Sequence, residues 1–288
     1  MIRKLALAVL LALAACKPAP EPPAATPALF EISGPHGEKG WLFGTIHALP
    51  QRVDWRGAKI DAAIAAADEL VLEIAAIDDQ RGLEAEFARR AASPGLPPLL
   101  DRVWPGQRDQ LAALLASKNI DPSPYRRLET WAAALALAQA LKGANDPAFG
   151  IDKEILAAAK GKPVGELEGA SAQLAVFDTL PEADQRDLLS ATVAEALAPD
   201  EEAGRLAKAW TRGDMKLLEA ETRTGLLADP ELRAALLVNR NQAWAAKIAA
   251  RLTRGGHPFV AVGAAHMAGP DGLPALLAAR GYRVTRLQ

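Results

Sequence analysis

The chain has 288 residues, half of them apolar, enough for a sizeable core in one large domain or two modest ones. Charged residues make up 24% and the formal net charge is −2, so this is not a disordered acidic or basic tail. No Lys/Arg cluster rises above scattered surface charge, which gives nucleic acid no electrostatic footing, and a single cysteine, Cys16, excludes an internal disulfide.

The N-terminus reads as a targeting segment. "MIRKLALAVLLALAAC" begins with Arg3 and Lys4 and continues as an apolar run from Leu5 to Ala15. That run is too short for a transmembrane helix and matches a secretory signal over residues 1–15. Its ending, Leu13-Ala14-Ala15-Cys16, resembles a bacterial lipobox, cut just before a cysteine that takes lipid. Losing Arg3 and Lys4 would carry the net charge from −2 to −4. Acyl chains on Cys16 would then supply membrane affinity, about 0.8 kcal/mol for each buried CH₂. The proline-rich stretch that follows, residues 16–28, predicts an extended tether.

The folded part is expected from Leu29 to the end. Short strands are predicted at Leu29–Ser33 and Gly40–Ile46, with the glycine-rich "GPHGEKG" as the turn between them. Arg56–Ala67 reads as a helix with Ile60 and Ile64 on one face, and Glu69–Ala75 as a compact buried strand. Strand, helix, strand implies a parallel pair with a crossover helix. Helices are then predicted over Leu83–Ala92, Gln107–Ser117 and Glu129–Lys142, punctuated by prolines. "GIDKEILAAAKGKPVGELE" gives a helix and a short strand, Val164–Leu167, and more helices follow at Ala170–Thr179, Glu182–Ala198, Glu201–Thr211 and Pro230–Arg254. The chain closes with strand Phe259–Val262, helix Leu273–Arg280 and strand Arg283–Leu287. The fold class is therefore α/β: a parallel or mixed central sheet built from both chain ends, with a large helical insertion over about residues 80–255. No period of roughly 20 to 50 residues marks a solenoid.

Two segments repeat one plan. "WLFGTIHALP" and "FVAVGAAHMAGP" each run apolar, then Gly-x-x-His, then proline. In open α/β sheets ligands bind at the carboxyl ends of strands. His47 and His266 each stand just past a strand end, and Glu73 stands near the end of "LVLE", so parallel strands would place all three on one rim. Two imidazoles and a carboxylate form a recurring ligand set for a divalent metal with open positions. The pattern leaves metal binding and catalysis both open, against ordinary loop histidines. Glu73 is otherwise the solvent-facing end of its strand; as a carboxylate beside an apolar run it needs a partner. Glu166 and Glu168 alternate on a strand, so one faces outward and the other can reach the rim. Asp152 fits a helix N-terminal turn, and capping is its default reading. Arg240 interrupts a helical stripe of Leu237, Trp244, Ile248 and Leu252, with Asn241 beside it; it either covers the core with its stem or fixes an anion at the rim. His36, in a turn, and His257, before Pro258, read as surface residues.

Together, "LFGTIHALP", "DELVLEI", "GIDKEILAAAKGKPVGELEGASAQLAVFDTLP", "NRNQAWAAKI" and "PFVAVGAAHMAGPDGLPALLAARGYRV" resemble the TraB/GumN family, which includes the Tiki metalloproteases. The resemblance covers residues 29–288 and implies an α/β fold similar to erythromycin-esterase-like and ChaN-like proteins. It implies a site with His47, His266 and Glu73 as metal ligands, and catalytic roles for Glu73, Arg240 and Glu168; Gln173 matches the family's "LE…Q" segment. A divalent ion (Mn, Co, Zn or Fe) and a peptide or small-molecule substrate are the implied partners, in a cell-envelope protein held to a membrane through Cys16. The alternatives are an envelope module that binds metal or heme without turnover, and a structural protein whose rim histidines are relics.

Overall fold

A computed structural model describes residues 21–141, 145–199 and 204–288. The signal segment, Cys16 and the ends of two expected helices, at Lys142 and Glu201, lie outside the described residues.

The described chain forms a six-stranded sheet ordered β4-β3-β5-β2-β1-β6. These strands are β1 (Leu29–Ser33), β2 (Lys39–Thr45), β3 (Glu69–Leu72), β4 (Val164–Glu166), β5 (Pro258–Gly263) and β6 (Arg283–Arg286). β1 and β2 form the expected hairpin, with Leu29 opposite Phe43, and β6 runs antiparallel to β1. β2, β5, β3 and β4 are mutually parallel. The three inner parallel strands are buried on both faces and read as continuous apolar runs, the composition such strands require.

β2 and β3 do run parallel about the crossover helix α1 (Ala58–Ala66), but they are not neighbours. β5, almost 200 residues later by sequence number, inserts between them, pairing Phe43 with Ala261 on one side and Val71 with Val260 on the other. A sheet drawn from both chain ends is thus stitched at its centre by the late strand.

Helices cover both faces. Trp55, Ile60, Ile64, Ile155 and Trp210 pack against Phe43, Leu70 and Phe259 on one face. Trp244, Ile248 and Leu252 pack against Leu42, Val71 and Val260 on the other. A separate helical core gathers around Trp131 from α2 (Gln80–Ala91), α3 (Arg108–Ser117), α4 (Thr130–Ala140) and α7 (Glu182–Leu197). Between them run α5 (Asp152–Ala158) and α6 (Gly169–Asp178).

Two expectations change. The proline-rich segment is not free up to residue 28: Ala25 and Ala28 are buried, Ala25 N–H donates to Asp54 O at 2.7 Å, and Thr26 N–H donates to Thr211 O at 2.7 Å. An extended backbone with open N–H groups finds acceptors on the neighbouring loop. The long helix over Pro230–Arg254 is also interrupted. It starts as Pro230–Arg233, passes through a π turn at Ala234–Val238, and continues as Asn239–Thr253. A π turn inserts a residue and rotates everything after it, a feature common at functional sites. Here it precedes Arg240, Asn241 and Trp244.

Candidate active site

Parallel strands end on one edge, and four of them deliver the polar side chains. β2 ends at Thr45 and is followed by His47, β3 ends at Leu72 before Glu73, and β4 ends at Glu166 shortly before Glu168. β5 ends at Gly263, and His266 follows on a short 3-10 turn, Ala264–Met267. Glu168 N–H and Gly169 N–H both donate to the Glu73 carbonyl, at 3.2 and 3.0 Å, locking two of these ends together.

Gly263 marks the centre. A methyl built on its Cα would stand 3.4 Å from Glu73 Oε1, 3.5 Å from His47 Nε2 and 3.7 Å from His266 Cδ2. Segments more than 200 positions apart in sequence therefore face one point. The other glycine of the repeated motif packs the two segments together: a Cβ on Gly44 would press within 3.3 Å of Ala264 Cα. Neither glycine has a positive φ, so both are there for room and not for a left-handed turn.

Each imidazole is oriented by a partner. His47 Nδ1 lies 2.8 Å from Asp152 Oδ2, and Asp152 Oδ1 accepts the Thr45 hydroxyl at 2.7 Å. A carboxylate only accepts, so Nδ1 carries the proton and the Nε2 edge faces Gly263. His266 Nδ1 lies 2.5 Å from Asn241 Oδ1, while Asn241 Nδ2 donates to Asp271 O at 2.8 Å. That second bond sets the amide, so its oxygen accepts from Nδ1 and His266 keeps its lone pair on Nε2. The pattern, Nδ1–H tied back and Nε2 turned inward, is how proteins orient metal-binding histidines.

The two rings differ in charge. Hydrogen bonding to Asp152 pushes His47 up to about 9, although the ring is 69% exposed. Burial pushes His266 down to about 3, against the attraction of Glu73. Its ring lies 4.4 Å from that of Trp244. Burial works to raise Glu73, but the facing positive charges and the Gly263 N–H, 2.7 Å from Oε1, overcome it and hold the carboxyl below its usual range.

Arg240 joins the carboxylates. Its Nη2 donates to Glu73 Oε2 at 3.0 Å and to Glu168 Oε1 at 2.5 Å, and its Nε donates to Glu168 Oε2 at 3.1 Å. Trp244 Nε1 donates to Glu168 Oε2 at 3.2 Å, and the guanidinium lies 4.5 Å from the Trp244 ring centroid. Arg240 Nη1 reaches Leu236 O, inside the π turn, at 3.0 Å, and approaches His266 Nε2 at 3.4 Å. Three carboxylates (Glu73, Glu168, Asp152) thus face two cations (Arg240 and protonated His47), leaving negative charge in excess. Among the described residues, no three His, Cys, Asp or Glu side chains stand close enough to enclose a metal ion, and Arg240 bridges Glu73 and His266.

The structure thus brings together His47, Glu73, Glu168, Arg240 and His266. Glu166 turns away and accepts Ala75 N–H at 3.1 Å. His36 lies in an exposed turn, and His257 pairs with Asp68 at the surface, 3.2 Å away. Asp152 is the residue whose role the sequence hides. It does begin a helix, but its carboxylate is spent on His47 and Thr45. Nothing local in "FGIDKE" marks a partner 105 positions upstream. Asn241 stands beside Arg240 in sequence, yet only the π-shifted helix shows that it anchors His266.

Fold and site together define an α/β protein with a polar centre on the carboxyl edge of its parallel strands. The sequence model of the TraB/PrgY/gumN family matches residues 28–286, and the chain belongs to that family. It is 28% identical over 264 residues to YbaP of Escherichia coli strain K12 and to YbaP of Shigella flexneri, both described as uncharacterized. The alignment covers 86% of this chain and 90% of each relative. No solved structure matches. No helix among the described residues is long and apolar enough to cross a membrane.

Proposed function

We propose that this chain is a metal-dependent hydrolase acting on peptide bonds, with His47 and His266 as the residues that would hold a divalent ion and Glu73 beside them to complete the ligand set or, left off the ion, to activate water. The observation that carries the reading is the pair of imidazoles whose Nδ1 atoms are tied to Asp152 and Asn241, both beside the Glu73 carboxylate. Nitrogen and carboxylate donors of this kind suit Mn, Co, Zn or Fe. Binding would require His47 to release a proton and Arg240 to yield its contact with His266 Nε2.

A bound ion would supply Lewis-acid polarisation of the group under attack. The chain's own residues do the rest. Glu73, held ionised, takes a proton from the attacking water as its oxygen bonds to the carbonyl carbon. The same carboxyl returns that proton to the nitrogen as the C–N bond breaks. Arg240, clamped by Glu168 and Trp244, presents a fixed guanidinium to the oxygen on which negative charge develops. Asp152 holds the His47 ring in place. The lipobox-like Cys16 anchors the enzyme to a membrane of the cell envelope, and Cys16→Ser should release the chain into the soluble fraction.

Turnover of a peptide library by metal-supplemented protein, with His47→Ala and His266→Ala as controls, tests the reading. Cleavage in the wild type, lost at least about a hundredfold in both variants, supports it. Equal cleavage by all three proteins would overturn it.

A further inference from the structure

The chain enters the fold on the same edge that carries the candidate site. β1 runs antiparallel to β2, so the start of β1 lies beside the carboxyl end of β2. Ala28 O accepts Gly44 N–H at 3.2 Å, which carries the pairing of Leu29 with Phe43 on to the glycine of the first Gly-x-x-His motif. The segment before Ala28 is bonded to the loop that follows His47. Asp54 N–H donates to Pro23 O at 2.9 Å, and Ala25 N–H donates back to Asp54 O. Among the described residues, Pro23 is the first whose backbone is hydrogen-bonded to the rest of the fold. β5 is the next strand beyond β2, so the start of β1 stands two strand spacings, roughly 10 Å, from the Gly263 column.

The length of chain ahead of this point limits how the domain can stand. Pro23 is seven positions after Cys16. In any conformation, that length spans at most about 25 Å. A compact domain of about 260 residues is about 45 Å across. With Cys16 in a bilayer, Pro23 stays within that reach of the surface, and the domain cannot be inverted without a longer connection. The far edge is marked by the His36 turn between β1 and β2 and by Arg254, just ahead of β5.

We infer that the carboxyl edge of the sheet faces the membrane that holds Cys16, and that the substrate is a polypeptide anchored in that membrane and cut close to its surface. The inference rests on the lipid anchor and the hydrolase reading above, and narrows the substrate class of that same site.

The test uses the full chain, lipidated at Cys16, in phosphatidylethanolamine and phosphatidylglycerol vesicles with an acceptor dye on the lipid headgroups. A donor dye is placed through Gln51→Cys on the site edge, or through His36→Cys or Arg254→Cys on the far edge, all exposed positions. Energy transfer from position 51 should exceed that from 36 and 254 at least about twofold, given the reach and the domain width. Inserting about 25 Gly/Ser residues between Lys17 and Pro18 should erase the difference. Equal transfer from all three positions, or greater transfer from 36 and 254, would overturn the orientation. The substrate arm offers the same vesicles a library peptide joined to a lipid through a spacer of about five or about forty residues. The short spacer reaches only about 17 Å from the surface, so a site facing the bilayer should cut that peptide several-fold faster. Equal rates, or cleavage of the long-spacer peptide alone, would overturn the substrate class. Transfer in the expected order with no peptide cleaved would keep the orientation and defeat the hydrolase reading. Cleavage of free peptides by a chain that Cys16→Ser leaves on the membrane would overturn this inference and keep the hydrolase.

Discussion

Replacing Arg240 with methionine removes a charge while keeping a stem that covers Trp244. In the native structure the Glu168 and Glu73 side chains are only 8% and 11% exposed, and Arg240 makes two hydrogen bonds to the first and one to the second. Without the guanidinium, two poorly hydrated carboxylates face each other across the vacated space. Breaking a buried ion pair by removing one partner costs about 3–5 kcal/mol, a large share of the roughly 5–15 kcal/mol that holds a domain together. Urea unfolding followed by circular dichroism should show that loss in Arg240→Met, with the midpoint lowered and the slope unchanged. Adding Glu168→Gln to the same chain should recover part of it, with a coupling of about 1–3 kcal/mol in the double-mutant cycle. A loss below about 1 kcal/mol, the scale of an exposed pair, would refute the argument that Arg240 neutralises a buried cluster.

Other consequences follow from the same geometry. NMR titration of metal-free protein should place the His47 midpoint at about 9, and Asp152→Asn should bring it back toward 6.5; a wild-type midpoint near 6.5 would remove Asp152 from the account. His266 is held near 3, so the folded chain resists a proton that the unfolded chain accepts below about 6.5. Its contribution to stability is present above that value and is lost as pH falls from 6.5 toward 3, and His266→Gln should flatten urea midpoints across that window. His47 acts with opposite sign: its contribution is present below 6.5 and is lost as pH rises through about 9. Gly263→Ala adds a methyl in ordinary contact with Glu73, His47 and His266 at a backbone conformation alanine tolerates. Stability should change by about 1 kcal/mol or less while activity falls at least about tenfold; an active Gly263→Ala enzyme would show that reacting groups do not meet there.

Much of this was legible in the sequence, for physical reasons. β2 and β5 announce themselves because strands buried on both faces must be apolar throughout, and the repeated Gly-x-x-His after each sets their ends. Glu73 stood out because a carboxylate next to "LVL" needs a partner. Strand order was not legible: parallel pairing is satisfied equally whether β3 lies beside β2 or β5, and only packing decides. Arg240 was legible as a break in the Leu237–Trp244–Ile248–Leu252 stripe, but the π turn leaves no periodicity signal within the apolar Ala234–Val238 run, so the reach of Asn241 to His266 could not be read. By sequence Asp152 is indistinguishable from a cap, because carboxylates at helix starts usually are caps; its bond to His47 exists only once α5 docks against the β2 end, where Ile151 N–H donates to Ile46 O at 2.9 Å. The proline-rich segment hid its docking because proline content reports backbone stiffness, not whether neighbouring N–H groups find acceptors.

The most direct measurement is calorimetric titration of manganese, cobalt and zinc into the metal-free chain in two buffers of different ionisation enthalpy. The account predicts one ion per chain for at least one of these metals, about one proton released per ion at neutral pH as His47 deprotonates, and loss of binding in both His47→Ala and His266→Ala. Binding that persists in both variants, or no binding of any of the three ions by the wild type, would contradict it.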